Sequence, residues 1–274
     1  MKRTSSIVLL FLFCFIFAGC EKESTSEEKR VEDAQLTYTE VQVVEEVSDT
    51  VESSYRIGAT LPGTDFSSLG NTVEDKLTQE WSTFDSMSKE AKLLSSQVWG
   101  IVSFEADTWN ECEEAIGVTV NNPLESLNWL NKTGHIGMES ADPNTPIKHI
   151  EATVNAANIE RKVSEISVTA GYNTQNARIT LTTNLTANTK TYTIGSVYNG
   201  YATYKQNTVT TKSGIHVLVV TTSGSNNNSY YNDEYYDLTA YWVKDNAFYT
   251  LHVFGNATDK ADIQADLDRI LAEI

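Results

Sequence analysis

The sequence predicts an α+β fold: a helical N-terminal half, a twisted antiparallel sheet and a C-terminal helix packed on that sheet. Three observations carry the expectation. Between residues 71 and 131 apolar residues recur at three- and four-residue spacing. From 147 to 256 the period drops to two. From 258 to 274 it returns to helical spacing, with one apolar stripe.

The chain opens with Lys2 and Arg3, and Ile7 to Phe17 is almost wholly apolar. That run is too short for a membrane span of roughly 20 apolar residues, but it has the length and flanks of a signal-peptide core. Ala18-Gly19-Cys20 then turns at once into charged chain, "EKEST". Residues 1–19 are therefore read as a signal peptide. The competing readings are an ordinary secretory signal with a chance Cys, or an uncleaved anchor.

Residues 20–54 are expected to form a disordered acidic tether. Residues 21–54 carry eleven acids and three bases and no Trp or Phe, too little apolar surface to offset the entropy of ordering. Within them "LTYTEVQVVEEV" alternates weakly, in the manner of a strand. Residues 55–274 are read as a single domain: a helical part at 71–131, a sheet part at 147–256 and a terminal helix at 258–274.

In the helical part, Val73, Leu77, Trp81 and Phe84 lie on one face, with Asn71 and Glu74 in capping-box positions. "SKEAKLLSS" is a second short helix opened by Ser88. In "DTWNECEEAIG", Thr108 and Glu111 form another capping-box pair, and Gly117 is a C-terminal stop. "NNPLESLNWL" reads as a fourth helix, with Asn122 as cap, Pro123 in the first turn and Leu124, Leu127 and Leu130 in line.

In the sheet part, Ile150, Ala152 and Val154 alternate with polar residues, as do Ile166, Val168 and Ala170, then Ile179, Leu181 and Leu185. Alternation of this kind puts one face on a core and one in water. "IHVLVVTT" is apolar on both faces and should be central. "EYYDLTAYWVK" and "FYTLHVFG" form a hairpin around "DNA", and the whole is most simply an antiparallel meander. In the tail, Ile263, Leu267, Ile270, Leu271 and Ile274 make the stripe, and Asp259 and Asp262 suit the helix dipole.

Three features carry a resemblance. Ala18-Gly19-Cys20 resembles the bacterial lipobox, with Phe17 where an aliphatic is usual; the resemblance implies cleavage before Cys20 and acylation of its thiol. "FDSMSKEAKLLSSQVWG" and "DTWNECEEAIGVTVNNPLESLNWL" resemble segments of uncharacterised lipoproteins of low-GC Gram-positive bacteria. "YTLHVFGNATDKADIQADLDRIL" is similar to the end of an uncharacterised extracellular domain of anti-sigma-type proteins. These resemblances imply an exported sensing or ligand-binding role, on the outer side of a bacterial cell membrane, and carry no reaction.

The formal charge of −17 argues against nucleic acid, which needs clustered Lys and Arg. Loss of residues 1–19 leaves a mature chain of about −19. After processing Cys112 is the sole cysteine besides Cys20, so no intramolecular disulfide forms. Cys112 reads as a small apolar residue near Trp109 and Ile116 rather than a nucleophile.

His135, His149, His216 and His252 lack zinc-site spacing, although His216 and His252 could lie on neighbouring strands. No GxSxG is present, and no catalytic residue, metal or cofactor is assigned. Tyr230, Tyr231, Tyr235 and Tyr236 in "SNNNSYYNDEYYD" offer a recognition surface, since Tyr gives large contact area for few torsions; otherwise they cover a sheet edge.

The functional expectation is a membrane-anchored, non-enzymatic binding or sensing lipoprotein with a groove between sheet and helices. Its partner would be a small molecule, a cell-wall component or an envelope protein. The alternatives are an envelope hydrolase with two carboxylates about 5–10 Å apart, or a lipid carrier with an apolar cavity.

Overall fold

The computed structural model describes residues 35–38, 42–44, 52–93, 99–134, 148–187, 190–199, 202–225 and 234–274. In chain order they form β1 (Gln35–Tyr38), β2 (Gln42–Val44), β3 (Glu52–Leu61), α1 (Asn71–Ser86), α2 (Lys89–Lys92), β4 (Trp99–Ala106), α3 (Trp109–Ile116) and β5 (Asn131–Thr133). There follow β6 (Ile150–Ala157), β7 (Lys162–Asn173), β8 (Ala177–Thr186), β9 (Lys190–Asn199), β10 (Ala202–Thr210), β11 (His216–Ser225), β12 (Glu234–Lys244) and β13 (Ala247–Asn256). A 3-10 turn, Ala257–Asp259, leads into α4 (Lys260–Glu273).

A nine-stranded antiparallel sheet dominates, in the order β10-β11-β12-β13-β8-β7-β6-β4, with β5 beside β7. Alternation builds it as expected: Ile150, Ala152, Val154, Ile166, Val168, Ala170, Ile179, Leu181 and Leu185 are all buried on one face. α1, α3 and α4 cover that face, supplying Val73, Leu77, Cys112, Ile116, Ile263, Leu267 and Ile270 to a single core. The C-terminal helix is thus where the apolar stripe places it.

The expected meander is interrupted. β9 leaves the main sheet and pairs with β3, which also pairs with β1 and β2 in a second sheet of four strands. The second sheet lies on the other face of the first, where Ile57, Ala59 and Leu61 meet Leu218, Val220, Tyr241 and Phe248. This explains "IHVLVVTT". β11 is buried on both faces, Val217 and Val219 in the helix-side core and Leu218 and Val220 in the second. It is nonetheless second from the edge rather than central, because covering by another sheet, not mid-sheet position, buries its outer face.

The helical N-terminal half is not what forms. α1, α2 and α3 alternate with β3 and β4, and β4 adds an edge strand whose Val102 and Ala106 face the core. β1, β2 and the start of β3 also fall inside 20–54, so ordered chain begins within the expected tether; residues 20–34 lie outside the described residues. "NNPLESLNWL" is a run of turns, not a fourth helix. Its hydrogen bonds run Glu125 N to Asn122 O, Leu127 N to Leu124 O and Leu130 N to Leu127 O. A strict three-residue leucine period matches three-residue turns, not a 3.6-residue helix.

Caps follow the local chemistry. Ser88 Oγ accepts from Ala91 N, and Thr108 Oγ1 accepts from Glu111 N at 3.2 Å. Glu111 reaches back to the N–H of Asp107 at 3.0 Å. Gly117 closes α3 at φ 76°. Asn71 does not cap α1; Gly70 does, without a side-chain bond. A Cβ at Gly70 would lie 2.2 Å from Glu114 O, so the start of α1 and the end of α3 approach too closely for any other residue there.

Candidate functional site

The outer face of the main sheet is covered by the second sheet over one end of β11, β12 and β13. Among the described residues its other end is open. There the alternation of β12 and β13 directs Tyr235, Asp237, His252 and Phe254 outward, each partly exposed. Asp237 stands directly opposite Phe254, and His252 opposite Thr239.

Three rings form a ladder on this face. Tyr235 and Phe254 stack at 6.2 Å between centroids with 26° between planes, and His252 and Phe254 at 6.1 Å and 28°. Asp237 Oδ2 accepts from His252 Nε2 at 2.6 Å and Oδ1 accepts from Thr239 Oγ1 at 3.3 Å. The carboxylate thereby fixes the imidazole at the end of the ladder. Beside the rings the β7–β8 connection and the ends of β12 and β13 enclose a cleft of about 630 Å³. Its lining is amide, hydroxyl and aromatic: Asn173, Thr174, Gln175, Asn176, Tyr235 and Phe254. Arg178 and Glu234 supply one charge of each sign.

The connection is held rigidly. Thr174 Oγ1 accepts from the N–H of Asn176 and Ala177 and donates to Asp266 of α4 at 2.6 Å. Next to the cleft, hydroxyls continue across the open face. Thr180 lies opposite His252, Thr182 opposite Thr250, and Thr169 bonds Thr182 at 3.1 Å.

Of the four expected recognition tyrosines, Tyr235 is on this face. Tyr236 is not: strand alternation turns it inward, 5% exposed, beneath Lys260 and beside Gln264 of α4. Tyr230, Tyr231 and Cys20 lie outside the described residues. The groove expected between sheet and helices is filled by the core, and the cleft opens on the opposite side. His216 and His252 are not neighbours, because β12 separates β11 from β13. His216 instead meets Thr210 Oγ1 through Nδ1. Among the described residues no group of three His, Cys, Asp or Glu side chains is placed to hold a metal.

Periodicity missed Phe254, His252 and Arg178 as a group, because their meeting depends on β13 pairing with β8 across 70 residues of sequence. It also missed a buried polar bracket on the core side of β7, where Tyr172 adjoins the cleft-lining Asn173. Asn122 Nδ2 donates to Tyr172 Oη at 2.7 Å, and Tyr172 donates to Glu125 at 3.3 Å. Glu125 pairs with Lys132. His149 packs edge-on against Tyr172 at 4.8 Å, with Nε2 facing Glu125 at 3.7 Å. Burial pushes the Tyr172 hydroxyl well above its ordinary range, so it stays a donor. Cys112 is fully buried, and burial with Glu113 and Glu111 nearby pushes its thiol up to about 12. A thiol so placed is no nucleophile.

The chain matches no known family model, no curated protein and no solved structure.

Proposed function

We propose that this chain is a lipid-anchored, extracytoplasmic binding protein: Cys20 holds it to the membrane, and the cleft beside Tyr235 and Phe254 receives the ligand. The observation that carries the binding role is the ring ladder standing open at the rim of a cleft lined by amides and hydroxyls. A concave site with aromatic walls and a few fixed polar groups is the usual form of a ligand pocket. The anchoring role is supported by the apolar run that ends at Ala18-Gly19-Cys20.

The same site weighs against the other two readings. Hydrolysis by paired carboxylates needs two acids free to act on one bond, whereas Asp237 is engaged by His252 and Thr239. A lipid carrier needs an apolar cavity, whereas this lining is rich in Asn, Thr and Gln.

Two measurements test the proposal. In cell fractionation the native chain should sediment with membranes and Cys20→Ala should not; a native N-terminus without acyl mass would end the anchoring reading. In a fragment screen followed by ligand-observed NMR, hits should be lost in Phe254→Ala. Hits that persist undiminished in that variant would place the site elsewhere.

A further inference from the structure

Resting on the binding reading above, we infer that the open face takes a neutral glycan chain, with one pyranose on the Tyr235 and Phe254 rings and its neighbours running across β13, β8 and β7. A pyranose presents two kinds of surface. Its C–H faces are apolar and faintly positive, which suits the negative face of an aromatic ring. Its edge is a belt of hydroxyls, each both donor and acceptor, which suits amides and other hydroxyls.

Both counterparts occur here in the right relation. The rings of Tyr235 and Phe254 stand at the cleft rim, and the amides of Asn173, Gln175 and Asn176 line its wall. From the rim the hydroxyls of Thr180 and Thr182 on β8 follow, and then that of Thr169 on β7. With strands about 4.8 Å apart, the path from β12 through β13 and β8 to β7 is roughly 14 Å long. That length holds more than one sugar ring.

Charge selects against other polymers. At the cleft Arg178 and Glu234 offset each other, and Asp237 is bonded to His252. The face thus offers an uncharged chain hydrogen bonds without an unmatched ion. A polyanion would meet a protein of net charge −17 and be repelled at long range.

The experiment is isothermal titration of the full chain in detergent micelles with four probes: cellohexaose, the N-acetylglucosamine hexamer, polygalacturonate and tyramine. The expected result is saturable binding of at least one neutral hexamer. Affinity should weaken about tenfold or more in Phe254→Ala and in Tyr235→Ala, as for anchor residues of an interface. Ile159→Ser, at a distant exposed corner, should leave affinity unchanged. Thr182→Val should weaken the hexamer and not the matching disaccharide if the chain crosses β8; equal weakening or none overturns that path. Tyramine or polygalacturonate binding that depends on Phe254, with neither hexamer bound, overturns the neutral-glycan class and leaves the binding cleft standing. Failure of all four probes overturns the glycan class, and if the fragment screen is also empty the binding cleft falls with it.

Discussion

The Cys112 thiol makes the pH dependence of folding readable at a single residue. Its pKa is raised from 9.0 to about 12 in the folded chain. As pH climbs past 9 the unfolded chain gives up this proton while the folded chain keeps it, so the folded state binds more protons and stability falls with pH. The contribution is intact below the unfolded value and is lost progressively from about 9 toward 12, at up to about 1.4 kcal/mol per pH unit. Urea midpoints between pH 8 and 10.5 should therefore decline more steeply for the native chain than for Cys112→Ala, in which this proton is gone; parallel declines would show the thiol to be titratable in place. The buried bracket supplies a second test at the same scale. Tyr172→Phe removes the oxygen that accepts from Asn122 and leaves a buried amide unpaired, at a cost of about 1–3 kcal/mol. Tyr172→Phe combined with Asn122→Leu should not recover the loss, because the Leu124 N–H that bonds Asn122 Oδ1 at 3.0 Å is then stranded in its place. The apolar character of Cys112 was legible from its neighbours on one helix, Trp109 and Ile116. The bracket was not, because Asn122 and Tyr172 stand 50 residues apart and nothing local marks either as the partner of the other.

At the scale of elements, legibility followed the range of the interaction that decides each one. Ser88, Thr108 and Gly117 act within a single turn, and each caps as its residue type dictates. Asn71 has the same local chemistry and fails as a cap, because a contact with α3 some 40 residues away places Gly70 there instead. The leucines at 124, 127 and 130 illustrate a misread period: spacing by three is shared by a helix face and by successive tight turns, and Pro123 suits either. Two substitutions in α3 separate the local from the distant contribution. Thr108→Ala should cost about 1 kcal/mol, the loss of one capping bond. Gly117→Ala should cost more, because its φ of 76° disfavours any side chain and its Cβ would sit 2.3 Å from Gly70 N. Chemical denaturation of the two variants side by side checks the order; a smaller effect at Gly117 would mean that the junction of α1 and α3 relaxes freely.

At the scale of the whole molecule, a period of two says which residues share a face but not what covers the other face. The second sheet is the clearest consequence. β3 and β9 are separated by about 130 residues, and β1 and β2 come from chain whose composition reads as tether. The second sheet therefore draws two of its strands from a segment that composition would discard. Deletion to residue 34 removes neither sheet, so a chain beginning at Gln35 should unfold at the same denaturant concentration as one beginning at Cys20. Deletion to residue 61 removes β3 and with it Ile57, Ala59 and Leu61, all buried. It strips the cover from Leu218, Val220, Tyr241 and Phe248, and β9 loses its only partner among the described strands. Buried aliphatic side chains contribute about 1.5–3 kcal/mol each, so the lost stabilisation is comparable to the whole margin of a typical domain, about 5–15 kcal/mol. The chain beginning at Pro62 should accordingly be recovered aggregated, or bind a hydrophobic dye in its soluble fraction, whereas the chain beginning at Gln35 should do neither. An unchanged, dye-silent transition for the shorter chain would show that the nine-stranded sheet and its helices fold without their second layer.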